Sequence, residues 1–144
     1  MKILFICSGN VGRSQMAETM FNTSSDHKHA ASSAGTNVIR GDDATREGQP
    51  LGDNPDAANV ITAMSEIGIN ISENKRKHIT PEMVSAADHV VIMVDPNEVP
   101  DYVRAHASVF YWNVRDPFGE PLAVTRDIRG SILSLLKKLL ITLP

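Results

Sequence analysis

Short apolar runs alternate along the chain with segments in which apolar residues recur every three or four positions. The runs predict four β-strands, at about residues 2–6, 30–34, 88–94 and 109–112. The run at 88–94 is continuous, which is typical of a strand buried on both faces of a parallel sheet. The run at 30–34 is the weakest and leads into Gly35.

The periodic segments predict four helices. Their expected bounds are Arg13 to about Phe21, Asn54-Pro55 to Gly68, Thr80-Pro81 to Ala87, and a last helix capped by Thr125. Proline in the first turn and glycine after the last turn are typical helix boundaries. The apolar stripes are Ala57, Val60, Ile61, Met64 and Ile67 in the second helix and Ile128, Ile132, Leu135, Leu136, Leu139 and Leu140 in the last.

Alternating strands and helices predict a doubly wound α/β fold, and a length of 144 residues suits one domain over residues 1–144. Such sheets bind ligands beyond the carboxyl ends of their strands. Cys7 follows one predicted strand, and Asp116 lies just past another. The polar, glycine-rich segment 37–53 is predicted to be a long loop, either a lid over a ligand site or a surface excursion.

Composition and charge exclude several classes of partner. The chain is 42% hydrophobic and 22% charged, its net charge is −3, and no long basic stretch is present, so nucleic acid is not expected as a partner. The apolar runs are too short to span a membrane, and the N-terminal run is interrupted at Cys7 without a signal-peptide cleavage site. The single cysteine excludes an intrachain disulfide and fits a reducing cytoplasm.

The segment Cys7-Ser8-Gly9-Asn10-Val11-Gly12-Arg13-Ser14 carries the most specific chemical signal. It joins the first strand to the first helix, so the helix N-terminus offers unpaired N–H groups and a positive dipole end, which favours a thiolate. Five residues separate Cys7 from Arg13, which lets the N–H groups of residues 8–12 converge above the sulfur while the guanidinium clamps an oxyanion. The segment therefore predicts a phosphate-binding loop with a nucleophilic Cys7, although a lone cysteine at a strand end is often an inert core residue.

Neighbouring residues complete the predicted chemistry. Asn10 tolerates a positive φ and is interpreted first as a structural brace of the loop. Ser14 is interpreted as a helix N-cap, a hydrogen-bond donor to the thiolate, or both. Group transfer to Cys7 needs a proton donor for the leaving group, and Asp116 before Pro117 is the candidate.

The chain resembles the low-molecular-weight protein tyrosine phosphatases and their relatives, the thiol-dependent arsenate reductases. The matching elements are residues 7–14, 33–36, 68–72, 77–80, 87–88 and 116–119, in the same order along nearly the whole chain. The resemblance implies a three-layer fold with a four-stranded parallel sheet. It implies Cys7 as nucleophile, Arg13 as oxyanion clamp and Asp116 as general acid, with Asn10, Ser14 and Ser33 as loop supports and Phe118 as a substrate contact.

Three functions follow from these residues, and the first is a phosphatase. It hydrolyses phosphomonoesters, such as protein phosphotyrosine or small aryl phosphates, through a phosphocysteine on Cys7, and needs neither metal nor cofactor. Phe118 is followed by Gly119, whereas the phosphatases that it resembles carry an aromatic pair there, so tyrosine specificity stays open.

The second function is arsenate reduction with an external thiol such as glutathione. Residues 15–18, Gln-Met-Ala-Glu, and Trp112 resemble the reductases, but the two further cysteines of the thioredoxin-linked enzymes are absent from the sequence. The third is a non-catalytic module that binds an oxyanion or a phosphoprotein. The segment Lys75-Arg76-Lys77 is interpreted first as a solvated loop and alternatively as a cluster that attracts an anionic phosphoprotein. Tyr111 and Trp112 are interpreted as packing residues.

Overall fold

A computed structural model describes residues 1–25 and 28–144. Its strands form one four-stranded parallel sheet, as the resemblance implies, and their order is β2-β1-β3-β4. The bounds are β1 Lys2–Cys7, β2 Ala30–Gly35, β3 His89–Ile92 and β4 Val109–Tyr111. Because β1 and β3 lie in the middle of the sheet, the segments that follow them meet near its centre.

Helices cover both faces of this sheet. The bounds are α1 Arg13–Ser24, α2 Ala58–Ser65, α3 Pro81–Ala86, α4 Asp101–Arg104 and α5 Leu122–Thr142, with 3₁₀ turns at Leu51–Asp53, Pro55–Ala57 and Pro96–Glu98. Side chains alternate across β1, so Ile3 and Phe5 pack with α1, α2 and α5, whereas Leu4 and Ile6 pack with α3 and α4. The predicted doubly wound, three-layer fold is confirmed.

The structure corrects two predicted helix boundaries. Thr125 does not cap the last helix: α5 already begins at Leu122, after the extended Pro121, and the buried Thr125 hydroxyl contacts the Pro121 carbonyl at 3.4 Å. Asn54 does accept a capping bond, but it caps the Pro55–Ala57 turn that leads into α2. Gly68 has a φ of +81°, so it turns the chain after α2 as predicted.

Two packing expectations also need correction, and one short helix was not predicted. Ile67 lies past the end of α2 and is 44% exposed, so it does not extend the buried stripe. Tyr111 is 52% exposed, whereas the Trp112 ring lies 5.7 Å from the Phe5 ring, so only Trp112 packs as expected. Helix α4 was not predicted because four residues are too few to show a periodic apolar pattern.

The 37–53 loop is attached to the body of the protein and is not a free surface excursion. Val38 and Leu51 are fully buried. The backbone of the loop exchanges hydrogen bonds with residues 74–76, and Ile39 N–H donates to His78 Nδ1 at 3.0 Å. The loop therefore holds a fixed position beside the residues that follow β1. In the described ranges, no helix is both long enough and apolar enough to cross a membrane.

An ion-pair cluster between α2 and α5 predicts a pH-dependent stability. Glu66 accepts hydrogen bonds from Arg126 and Arg129, and the Arg126 bond is the main cause that lowers the pKa of Glu66 from 4.5 to about 2. A depressed carboxyl pKa stabilises the fold above the unfolded value and loses that effect as the pH falls. We expect Glu66→Gln to lower Tm at pH 7, with a difference from the parent that shrinks between pH 4.5 and about 2.

The matched control is Glu73→Gln, since Glu73 is exposed and forms no ion pair with the described residues. Thermal unfolding across this pH range measures both variants. If the Tm of Glu66→Gln stays below that of the parent protein by the same amount down to pH 2, this role of the carboxylate is contradicted.

Candidate active site

The segment between β1 and α1 forms an open cradle of backbone donors. Cys7 ends β1 and is only 2% exposed, and α1 begins at Arg13 as predicted. Asn10 has a φ of +53°, which turns the loop back on itself. None of the backbone N–H groups of residues 8–12 donates to another described residue. Five free donors at a helix N-terminus, next to a thiol, can bind a tetrahedral oxyanion.

Asn10 braces this loop from inside. The fully buried side chain donates from Nδ2 to Ser14 Oγ at 2.8 Å and to Ser33 Oγ at 3.0 Å. Its Oδ1 accepts from Lys77 N–H at 2.8 Å and from Gln15 Nε2 at 3.1 Å. The network brings together Asn10, Ser14 and Ser33, the residues that the resemblance implied as loop supports.

Ser14 contacts the sulfur and does not cap the helix. Helix α1 begins at Arg13 with Gly12 in the cap position, two residues before Ser14, so the N-cap interpretation of Ser14 is wrong. Ser14 Oγ lies 2.9 Å from Cys7 Sγ. Because Asn10 donates to this hydroxyl oxygen, the hydroxyl hydrogen is free to point at the sulfur. That hydrogen can stabilise negative charge on a Cys7 thiolate.

The Arg13 side chain is held by backbone carbonyls at the centre of the sheet. It is 9% exposed, and Nη1 donates to Met93 O at 2.6 Å and Val114 O at 3.2 Å. Nη2 lies 3.6 Å from Asp116 Oδ2. Since Nη1 is occupied, Nε and Nη2 are the donors left for an oxyanion above the loop.

Asp116 stands on a short turn at the mouth of the same pocket. Its Oδ1 accepts Phe118 N–H at 3.0 Å, which fixes the turn, while the side chain stays 57% exposed. The Phe118 side chain is 68% exposed and lines the pocket together with Cys7. The structure thus places Cys7, Arg13, Asp116 and Phe118 around one cavity.

Gly12 lets the turn that carries Asp116 and Pro117 approach the cysteine loop closely. A Cβ at this position would lie 2.6 Å from Cγ of Pro117, a ring atom that cannot rotate away. We expect Gly12→Ala to displace Pro117 and with it Asp116, and to lower kcat for an aryl phosphate about tenfold, a loss of about 1.4 kcal/mol of transition-state stabilisation. Steady-state kinetics measures the effect. Gly130→Ala is the control because nothing lies near its added Cβ, and equal kcat in the two variants would contradict this packing role.

Arg76 is a site residue that the sequence interpretation missed. The expectation of a solvated Lys75-Arg76-Lys77 loop is wrong for Arg76, which is 6% exposed. Its Nε donates to Gly9 O at 2.9 Å and its Nη1 to Gln49 Oε1 at 3.0 Å. The segment pairs like a strand, with bridges from Lys75 to Pro50 and from His78 to Gly35, so consecutive side chains point to opposite sides. This pairing involves residues far along the chain, so the sequence of the segment alone does not separate Arg76 from Lys75.

Gln15 was also missed as a residue of the site. It is fully buried at the start of α1, and Nε2 donates to Asn10 O at 3.3 Å and Lys75 O at 3.2 Å. It therefore ties the cysteine loop to the segment that carries Arg76. Its place directly after the loop was visible in the sequence, but its partner 60 residues away was not.

Comparisons with known proteins agree with this arrangement. A profile of the family described as low molecular weight phosphotyrosine protein phosphatase matches residues 2–143. An arsenate reductase of Bacillus cereus is 31% identical over 137 residues, which cover 94% of this chain and 91% of the relative.

Solved structures give the same result. A low-molecular-weight protein tyrosine phosphatase from T. tengcongensis is 28% identical and superposes with a TM-score of 0.79, covering 99% of both chains. An arsenate reductase in a phosphate-binding state is 26% identical, with a TM-score of 0.77 over 99% of this chain and 98% of that chain. Both kinds of relative are named as enzymes, and the chain is an enzyme that belongs to the low-molecular-weight phosphotyrosine protein phosphatase family.

Proposed function

We propose that this enzyme hydrolyses phosphomonoesters through a phosphocysteine on Cys7. The observation that carries the proposal is the single cavity that joins Cys7 Sγ, the unpaired N–H groups of residues 8–12, Arg13 and Asp116. The loop binds the phosphoryl group, and Sγ attacks phosphorus in line. The S–P bond forms as the P–O bond to the leaving group breaks.

Residues around the cavity also transfer the protons and stabilise the negative charge that the reaction requires. Asp116 protonates the departing oxygen, while the loop amides and the free Arg13 donors stabilise the equatorial oxygens. The Asp116 carboxylate then takes a proton from water, which attacks phosphorus and breaks the S–P bond. Phosphate leaves, and Cys7 returns to a thiolate that Ser14 Oγ stabilises from 2.9 Å. The scheme uses no metal or cofactor.

The substrates that we propose are aryl phosphates, either small or on a phosphorylated protein. Phe118, 68% exposed beside Asp116, offers one apolar face to an aromatic leaving group, and Gly119 follows it in place of a second ring. Because the mechanism needs Cys7 as a free thiolate, we place the enzyme in a reducing compartment, the cytoplasm.

Arsenate reduction is the second candidate, and two observations favour it. The Bacillus cereus relative is named an arsenate reductase, and Gln15 of the reductase-like Gln-Met-Ala-Glu segment is built into the loop network. This reaction requires two electrons. Since Cys7 is the only cysteine and must return to its thiol form, they must come from two molecules of an external thiol such as glutathione, which end as a disulfide.

One experiment separates these functions. The same preparation is assayed for hydrolysis of an aryl phosphate in the presence of a metal chelator and for glutathione-dependent reduction of arsenate. We expect hydrolysis that greatly exceeds reduction, with both reactions lost in Cys7→Ser. Reduction without hydrolysis would favour the second candidate, and phosphate binding with neither activity would indicate a non-catalytic module.

A further inference from the structure

The mouth of the catalytic cavity carries three arginines that the proposed chemistry does not use. The cavity has a volume of about 810 Å³, and Arg40, Arg46 and Arg76 line it together with Cys7. We infer that these three arginines form a second anion subsite, the arginine subsite, which selects phosphomonoesters that carry a further carboxylate or phosphate beside the scissile group. The selectivity in catalysis rests on the proposed phosphatase function, whereas the binding of a second anion does not.

Arg76 is buried without a carboxylate partner. It is 6% exposed, and its two hydrogen bonds go to neutral acceptors, Gly9 O and Gln49 Oε1. Among the described residues, no carboxylate lies within ion-pair distance of it. A buried guanidinium is costly unless a negative charge accompanies it, so this position favours an anionic ligand.

Arg46 lines the same cavity and carries an unsatisfied donor. Its Nε donates to Val38 O at 3.0 Å and its Nη1 lies 3.3 Å from Asp43 Oδ2. Its Nη2 is buried and, in the part of the chain that the structure describes, is the one buried side-chain nitrogen or oxygen without a hydrogen-bond partner. An orphaned buried donor of this kind indicates a site for a missing acceptor.

The electrostatics of the group agree with this assignment. The pKa of Arg76 is lowered first by burial and then by the nearby positive charges of Arg46 and Arg40, so the three side chains repel one another. The negative groups that face them are Asp43, which already pairs with Arg46, and Asp56 and the Cys7 sulfur, which both act to raise the pKa of Arg76. Since Arg40 and Arg76 have no carboxylate partner among the described residues, a bound anion would relieve the repulsion between the arginines.

Substitution of Arg46, and not of Arg76, can distinguish anion binding from a purely structural role of these arginines. Arg76 also supports the cysteine loop through Gly9 O, so its loss would disturb catalysis directly. The bonds of Arg46, by contrast, stay within the 37–53 loop. Glutamine at position 46 removes the charge and keeps a polar side chain of moderate length.

The catalytic test compares 3- and 4-carboxyphenyl phosphate with the corresponding neutral carbamoylphenyl phosphates. We expect Arg46→Gln to lower the ratio of kcat/KM, charged over neutral, about tenfold relative to the parent. Comparison with the parent cancels the difference in leaving group. Lys138→Gln removes a distant exposed charge from α5 and is expected to leave the ratio unchanged. Equal ratios in the parent and in Arg46→Gln would overturn the inference.

The binding test does not depend on turnover. In calorimetry on Cys7→Ser, we expect pyrophosphate to bind at least about tenfold more tightly than orthophosphate. We expect most of this difference in affinity to be lost in the double variant that also carries Arg46→Gln. If aryl phosphates are not hydrolysed but this advantage is found, the phosphatase proposal fails and the arginine subsite stands. Equal affinities of the two anions in Cys7→Ser would overturn the arginine subsite, whatever the enzyme hydrolyses.

Discussion

Replacing Cys7 by serine is expected to lower kcat/KM for an aryl phosphate by at least about 10³-fold, or about 4 kcal/mol of transition-state stabilisation. A serine hydroxyl is a weak nucleophile near neutral pH and cannot supply the thiolate that the proposed mechanism requires. The change is nearly isosteric, so the loop should keep its fold. Steady-state kinetics measures the loss, and calorimetry with phosphate checks that the loop still binds.

The control for this variant is Thr23→Ser, a small change on an exposed face of α1. It should keep parental kinetics. If Cys7→Ser retains more than a tenth of the parental kcat/KM, Cys7 is not the nucleophile, and the proposed mechanism fails.

Replacing Asp116 by asparagine is expected to produce the second largest loss, about 10²–10⁴-fold in kcat for a phenyl phosphate with a poor leaving group. Asparagine keeps the turn bond from Phe118 N–H to the side-chain oxygen but cannot donate an acidic proton. A good leaving group, such as a nitrophenolate, departs without protonation. With such a substrate, Asp116→Asn should therefore lower the rate of Cys7 phosphorylation much less. The measurement is a leaving-group series in the parent and in Asp116→Asn.

The parent should show a shallow dependence of the rate of Cys7 phosphorylation on leaving-group pKa, and Asp116→Asn a steep one. Asp127→Asn, which removes an exposed carboxylate from α5, should match the parent throughout. A uniform loss across the series in Asp116→Asn would assign this residue to positioning of Arg13, whose Nη2 lies 3.6 Å away, and not to acid catalysis.

The sequence predicted the cysteine loop because its geometry is local. Five residues between Cys7 and Arg13, a strand before and a helix after them, are enough to specify a loop with converging N–H groups. Asp116 was predictable because the carboxyl ends of parallel strands lie at one edge of the sheet. The strand order, in which β3 separates β1 from β4, was not predicted, because residue patterns do not specify which strands pair.

Arg76 and the arginines of the 37–53 loop show why the rest was missed. Arg76 reaches the cysteine loop across 67 residues of sequence, through a bond to Gly9 O. Its neighbours Lys75 and Lys77 make the segment look like an ordinary solvated stretch of charge. The buried positions of Val38 and Leu51, which fix the 37–53 loop, likewise depend on contacts that no local pattern announces.

Detection of a phosphoryl group on Cys7 during turnover tests the central claim most directly. Asp116→Asn with a good leaving group is the best system, because Cys7 phosphorylation then needs little acid catalysis whereas hydrolysis of the phosphocysteine lacks its base. Acid-quenched protein is digested and analysed by mass spectrometry. The account predicts that the intermediate accumulates on the peptide that contains Cys7. Turnover without phosphorylated Cys7, or with phosphate on another residue, would contradict it.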